Sequence, residues 1–123
     1  MRLMLLAAFA ALVLAGPARA ENWIKYDDWY FYDADSATYD SSDDIVVVNT
    51  SEDIGWMMDD DEYWEEAWLA ARCGSDGNWW WSEKNQSWGE EHTFDRSDEW
   101  DEAYIWTRDQ LCARKSSLPY RDF

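Results

Sequence analysis

The chain has 123 residues and a formal net charge of −17, which repels nucleic acid and anionic lipid surfaces and suits cations or basic partners. Its 11 tryptophans and 18% aromatic content supply a core for one domain, but the length does not extend to two. A single histidine, with two cysteines expected to pair, leaves no zinc ligand set and no redox motif of the Cys-x-x-Cys kind.

Met1 to Ala20 has the layout of a secretory signal peptide: Arg2, an apolar run from Leu3 to Ala15, a Gly16-Pro17 break and the small-x-small site Ala18-Arg19-Ala20. The run is shorter than the roughly 20 residues that span a bilayer, so cleavage after Ala20 is expected, with no membrane span left in the exported chain. No cysteine follows that site to accept a lipid. Loss of Arg2 and Arg19 would take the charge from −17 to −19. Residues 21–123 are then a single exported domain, placed in the periplasm, on the cell surface or outside a bacterium. In that setting Cys73 and Cys112 are expected to form a disulfide.

Asn22 to Tyr26 reads as a first strand, and Asp27-Asp28 as a turn into the β-prone run Trp29-Tyr30-Phe31-Tyr32. Alternation sets Trp29 and Phe31 on one face, taken as the core side, and Tyr30 and Tyr32 on the other. Asp33 to Ser36 and Asp40 to Asp43 read as polar turns. Between them and the acidic stretch Thr50 to Asp61 lies Ile45-Val46-Val47-Val48, the candidate central strand. The acidic stretch reads as a loop whose Trp56, Met57 and Met58 partly cover the core.

Tyr63 to Arg72 is ambiguous: Trp64 and Trp68 have helical spacing, while the same residues also alternate as a strand would. Gly74 to Gly77 turns, Trp79-Trp80-Trp81 is a strand, Glu83 to Gln86 turns again, and Ser87 to Phe94 returns. These elements form an antiparallel meander. Ser97 to Arg114 reads as the one helix, capped by Ser97, with Asp98 and Glu99 in its first turn and Pro119 beyond its stop. Trp100, Tyr104, Ile105, Arg108 and Leu111-Cys112 make its packing stripe.

Trp23, the Trp29-Tyr30-Phe31-Tyr32-Asp33-Ala34-Asp35-Ser36 segment, the valine run, Arg72-Cys73 and a capped helix ending in Leu111-Cys112 follow one another in an order that resembles the small exported bacterial proteins of the surface-adhesin protein E type. The resemblance implies an α+β fold: a curved antiparallel sheet, a C-terminal helix against it and a disulfide between them. It also implies a strand from Trp68 to Cys73. Some members bind host matrix proteins and some carry a lipid anchor. This chain is more acidic and richer in tryptophan, so the architecture is carried over and adhesion is not.

Asp33, Asp35 and Asp40 are weak calcium candidates, but the EF-hand pattern fails, since its fifth, sixth and twelfth positions counted from Asp33 hold Ala37, Thr38 and Asp44. Asp59 to Glu62 is a second acidic turn of the same kind. Glu90-Glu91 and Asp98 to Glu102 offer paired carboxylates for glycoside hydrolysis, but a domain this small has little room for a sugar cleft. His92, with Ser87 or Ser97, lacks a Gly-x-Ser-x-Gly elbow. No cofactor is implied. The expected function is therefore non-enzymatic: an acidic, aromatic surface engaging a basic protein or a host or envelope protein, as an adhesin or enzyme inhibitor would. The expected binding residues are Trp80, Tyr30 and Tyr32, presumed to face solvent opposite their buried neighbours. A carbohydrate-binding module led by tryptophan is the alternative, and a small carboxylate hydrolase a further one.

Overall fold

The computed structural model describes residues 21–123, and the expected signal peptide, residues 1–20, lies outside them. The domain is an antiparallel meander with one helix laid on it. Its strands are β1 (Trp23–Asp27), β2 (Tyr30–Asp40), β3 (Ile45–Asp53), β4 (Trp64–Arg72), β5 (Gly77–Ser82), β6 (Ser87–Trp88) and β7 (His92–Thr93). The spatial order is β1-β2-β3-β4-β5-β6, and β7 also pairs with β5. Helix α1 spans Glu99–Cys112. The expected α+β architecture is thus the one observed. Among the described residues no helix is long and apolar enough to cross a membrane.

The valine run lies in β3, at the middle of the sheet, flanked by β2 and β4 in long ladders. Strand geometry resolves the ambiguity at Tyr63 to Arg72: β4 pairs with β3 without a break from Ile45↔Arg72 to Asp53↔Trp64. The return strand is split. Trp81↔Trp88 and Ser82↔Ser87 pair at one end of β5, where the Gly89 N–H also donates to the Trp80 carbonyl at 3.0 Å, Gly77↔Thr93 and Asn78↔His92 pair at the other, and Glu90 and Glu91 lie between them.

Two expectations are corrected by local polar chemistry. Asp33 to Ser36 is not a turn but an irregularity inside β2, where the register with β3 shifts between Asp33 and Thr38. Side chains replace ladder bonds there. Asp33 Oδ1 accepts from the Asn22 and Asp35 N–H groups, each at 3.0 Å. The Ser36 hydroxyl donates to the Asp33 carbonyl at 2.7 Å and accepts from the Asn49 N–H at 2.8 Å. Polar residues that usually signal a turn here satisfy a bulge.

The helix, likewise, is capped one residue later than expected and ends at Cys112. Ser97 is committed to the preceding turn, donating its N–H and hydroxyl to Asp95 Oδ1 at 2.9 and 2.6 Å. Asp98 takes the cap instead, accepting from the Trp100 N–H at 2.8 Å, and Glu99, Asp101 and Glu102 fill the first turn. Beyond Cys112, Lys115 reaches back to Asp44 at 2.8 Å.

The main core lies between α1 and one face of the sheet. Ala103, Thr107 and Leu111, spaced four apart and fully buried, form the inner line of the helix. They meet Tyr30, Tyr32, Val46, Val48, Leu69 and Ala71. The Cys73–Cys112 disulfide, with a Cα separation of 5.7 Å, joins the end of the helix to the chain just past β4.

Asp40 closes the β2–β3 turn from inside, at 2% exposure. Its carboxylate accepts from the Phe123 and Ser42 N–H groups at 2.9 Å and from that of Asp43 at 3.3 Å. These donors, that of Phe123 foremost, hold its pKa below the ordinary 3.8. A depressed carboxylate adds stability above its unfolded pKa and loses it as the pH falls through the folded one. Asp40→Asn is therefore expected to be less stable than wild type at neutral pH, with the gap in urea midpoint closing below about pH 4. A gap that stays constant from pH 6 to pH 2 would contradict this.

Candidate functional site

The residues expected to carry binding point the other way. Tyr30 and Tyr32 are buried, at 0% and 3% exposure, beneath the helix. Tyr30, Phe31 and Tyr32 alternate as read with the faces reversed, whereas Trp29 does not side with Phe31 and packs with the tyrosines toward the helix. The hydroxyl of Tyr30 is no reason to face water, because it finds Thr107 Oγ1 at 2.8 Å inside the core. Burial pushes the Tyr30 phenol well above its usual range. Trp80 is half-buried on the same face, its ring 4.9 Å from that of Tyr104. Tyr104 in turn donates to Glu52 at 2.6 Å, and burial raises the pKa of that carboxyl. Trp29 stands just before β2 and packs under the helix against Trp100 at 4.2 Å. None of these aromatics forms an open platform.

The other face of the sheet carries the surface. Paired positions in antiparallel strands share a face, so Phe31, Ser51 and Glu66 align, as do Asn49 with Trp68, and Val47 with Ala70 and Trp79. Trp81 and Trp88 continue the row at β5 and β6, edge to face at 5.4 Å. A satellite core of Ile45, Val47, Ala70 and Trp79 anchors this side. The C-terminal residues run onto it: the Arg121 N–H bonds the Tyr39 carbonyl at 3.2 Å, and the Phe123 ring rests 4.6 Å from Trp79 and 5.3 Å from Trp88.

Two cavities open on this face. One of about 210 Å³ is lined by Val47, Trp68, Trp81, Glu83, Trp88 and Arg121. The other, about 420 Å³, is lined by Asn49, Glu65, Glu66, Ala67, Trp68, Trp81 and Glu83. They share Trp68, Trp81 and Glu83 and form one groove with an acidic rim. Asn49 contributes a buried carbonyl oxygen, Oδ1, that has no hydrogen-bond partner. Its amide nitrogen donates to the Ala67 carbonyl at 3.4 Å. A third cavity of about 250 Å³, lined by Trp23, Phe31, Ser51 and Trp64, lies further along the same face.

Beside the groove the chain displays its own arginine on tryptophan. The Arg72 guanidinium lies 4.9 Å from the centre of the Trp79 ring. It also pairs with Glu91 through two N–H donors, at 2.9 and 3.4 Å. Gly77 makes room for this pair, since a Cβ there would meet the Glu91 carboxylate at 2.0 Å. Glu91 stabilises the Arg72 charge, and Arg72 holds the Glu91 carboxyl below its ordinary range.

The β3–β4 connection ends in an exposed apolar tip. Trp56, Met57 and Met58, expected to help cover the core, are instead 67%, 61% and 52% exposed. Gly55 at the head of this loop is buried against the backbone of Asp60 and Glu62, which turns the following side chains outward.

The other candidates serve local structure. Asp33 and Asp40 bind backbone N–H groups as described, Asp35 is exposed, and among the described residues no three Asp, Glu, His or Cys side chains come together to hold a metal ion. Glu91 is taken by Arg72 and Asp98 by the helix cap, while Asp101 accepts from the Asp95 N–H at 2.7 Å. His92 is exposed on β7, and Ser97 is bonded to Asp95.

The groove residues Trp68, Trp81, Trp88, Glu66 and Glu83 escaped the sequence reading. Trp81 shares its face with Trp79, which that reading placed in the core. The available signal was the alternation of β4 itself, with Trp64, Glu66 and Trp68 on one side. No family model, curated protein or solved structure matches this chain, so the likeness to the surface-adhesin protein E type rests on the order of its sequence features alone.

Proposed function

We propose that this protein is a non-enzymatic exported binding protein, and that the sheet face opposite the helix engages a basic protein partner. The observation that carries this reading is the groove walled by Trp68 and Trp81 and rimmed by Glu66 and Glu83. Tryptophans supply contact area at small entropic cost, and carboxylates on the rim steer a cationic partner. The overall charge of −17 extends that steering beyond the groove. The disulfide is consistent with an oxidising compartment. An adhesin-like role or inhibition of a basic enzyme both fit a surface of this kind.

The test is titration of the disulfide-bonded protein with a panel of basic proteins, lysozyme among them, at about 0.15 M and about 0.5 M salt. Screening lengths near 8 Å at the lower salt leave surface attraction in force, and the higher salt suppresses it. Binding is expected to weaken at least tenfold with added salt and again in the double variant Glu66→Gln, Glu83→Gln. Binding of none of the panel at low salt, or binding indifferent to the double substitution, would overturn the reading. A neutral oligosaccharide that binds equally well at both salts would replace it with the carbohydrate alternative.

A further inference from the structure

We infer that the groove between Trp68 and Trp81 is a receptor for an arginine side chain presented by that basic partner. The inference rests on the reading of this face as a protein-binding surface and names the group that the groove takes. Three observations carry it. First, the same face already holds an arginine in the arrangement required, with the Arg72 guanidinium over Trp79 and forked onto Glu91. A guanidinium is planar and weakly hydrated, so it stacks on an indole while donating two parallel bonds to a carboxylate; an ammonium cannot do both. Second, the adjoining groove repeats the two acceptors, ring and carboxylate. Trp68 and Trp81 supply the rings, and the exposed carboxylates of Glu66 and Glu83 make no ion pair among the described residues. Third, the chain's own Arg121 lines the end of the groove together with Trp81, Glu83 and Trp88.

The charge rules out the opposite choice of ligand. An acidic or phosphorylated peptide would bring further negative charge to a rim that already carries Glu66 and Glu83. A flat sugar would exploit the rings but not the rim.

The probe is Nα-acetyl-arginine amide, with Nα-acetyl-citrulline amide as its neutral isostere, followed by the indole N–H resonances of the disulfide-bonded protein. Saturable shifts are expected at Trp68 and Trp81, with those of Trp56 and Trp100 unmoved. Affinity is expected to fall at least fivefold in Glu66→Gln/Glu83→Gln, two exposed positions whose exchange leaves the core intact. The citrulline probe should bind at least tenfold more weakly than the arginine one. Equal binding of the two probes, or shifts that avoid Trp68 and Trp81, would overturn the inference. If basic proteins bind the face while the arginine probe neither shifts these resonances nor competes, the arginine receptor falls and the protein-binding surface stands. If the probe binds as described and no basic protein does, the receptor stands and the larger reading falls.

Discussion

Replacing Cys73 and Cys112 together by serine is expected to lower the unfolding free energy by about 4 kcal/mol. The bridge joins residues 39 apart in sequence, so removing it returns the entropy of that loop to the unfolded chain. A domain of this size commonly has about 5–15 kcal/mol in hand, which makes this a large fraction of the total. The expected signature is specific. Urea unfolding should show a lower midpoint together with a steeper dependence on denaturant, because the uncrosslinked chain exposes more surface. A loss below about 1 kcal/mol would mean that the native contacts at this junction hold it without the bridge.

Those contacts centre on Arg108, and Arg108→Ala is expected to cost about 3 kcal/mol or more. Arg108 is a buried charge at 5% exposure, on the helix one turn before Cys112. Its guanidinium donates to the Ser75 carbonyl at 2.5 Å and to the Arg72 carbonyl at 3.3 Å, and it meets Asp76 at 3.4 Å. Its Nε bonds Asp109 at 2.7 Å, and the group lies 5.8 Å from the centre of the Phe94 ring. Truncation strands two carbonyls around an empty space, while Asp76 keeps its two bonds to Arg96, and that loss is costlier than the pair itself is stabilising. Arg108→Lys should recover only part of the loss, since one ammonium cannot reach every acceptor of a planar fork. Arg96 is the control. It binds the same Asp76 at 2.7 Å but is 66% exposed, so Arg96→Ala is expected to cost under about 1 kcal/mol. Chemical denaturation of the three variants checks the ranking, and equal losses at Arg96 and Arg108 would refute it.

Much of the architecture was legible because it rests on composition that has only one use. A run of β-branched residues such as Ile45 to Val48 suits the middle of a sheet, and two cysteines in an oxidised chain have only each other. The meander followed from turn residues at short spacing, and the helix from its periodic stripe and acidic start. The bulge at Asp33 to Ser36 was not legible, because residues that favour turns do so by capturing backbone N–H groups, and a bulge offers the same groups. The choice of face was misread for a related reason. Tyr30 and Tyr32 alternate correctly with Phe31, but sequence polarity ranks tyrosine as the outward residue, whereas packing against Ala103, Thr107 and Leu111 decided the matter. The groove was hidden because Trp68 and Trp81 meet only through pairing of β4 with β5, which is set by the turn between them and not by either segment alone.

The split return strand has a consequence for how this protein behaves in company. A chain with so many aromatic residues and one sheet face outside the helix is a natural template for adding strands from other copies. Growth of that kind needs a long, straight row of free backbone donors and acceptors. Beyond β5 such a row is broken into two stubs, Ser87–Trp88 and His92–Thr93, by the acidic step at Glu90 and Glu91. At the opposite margin β1 is short and loses register between Lys25 and Asp27. Both margins therefore resist fibre growth, and the face can remain sticky toward a partner without becoming sticky toward itself.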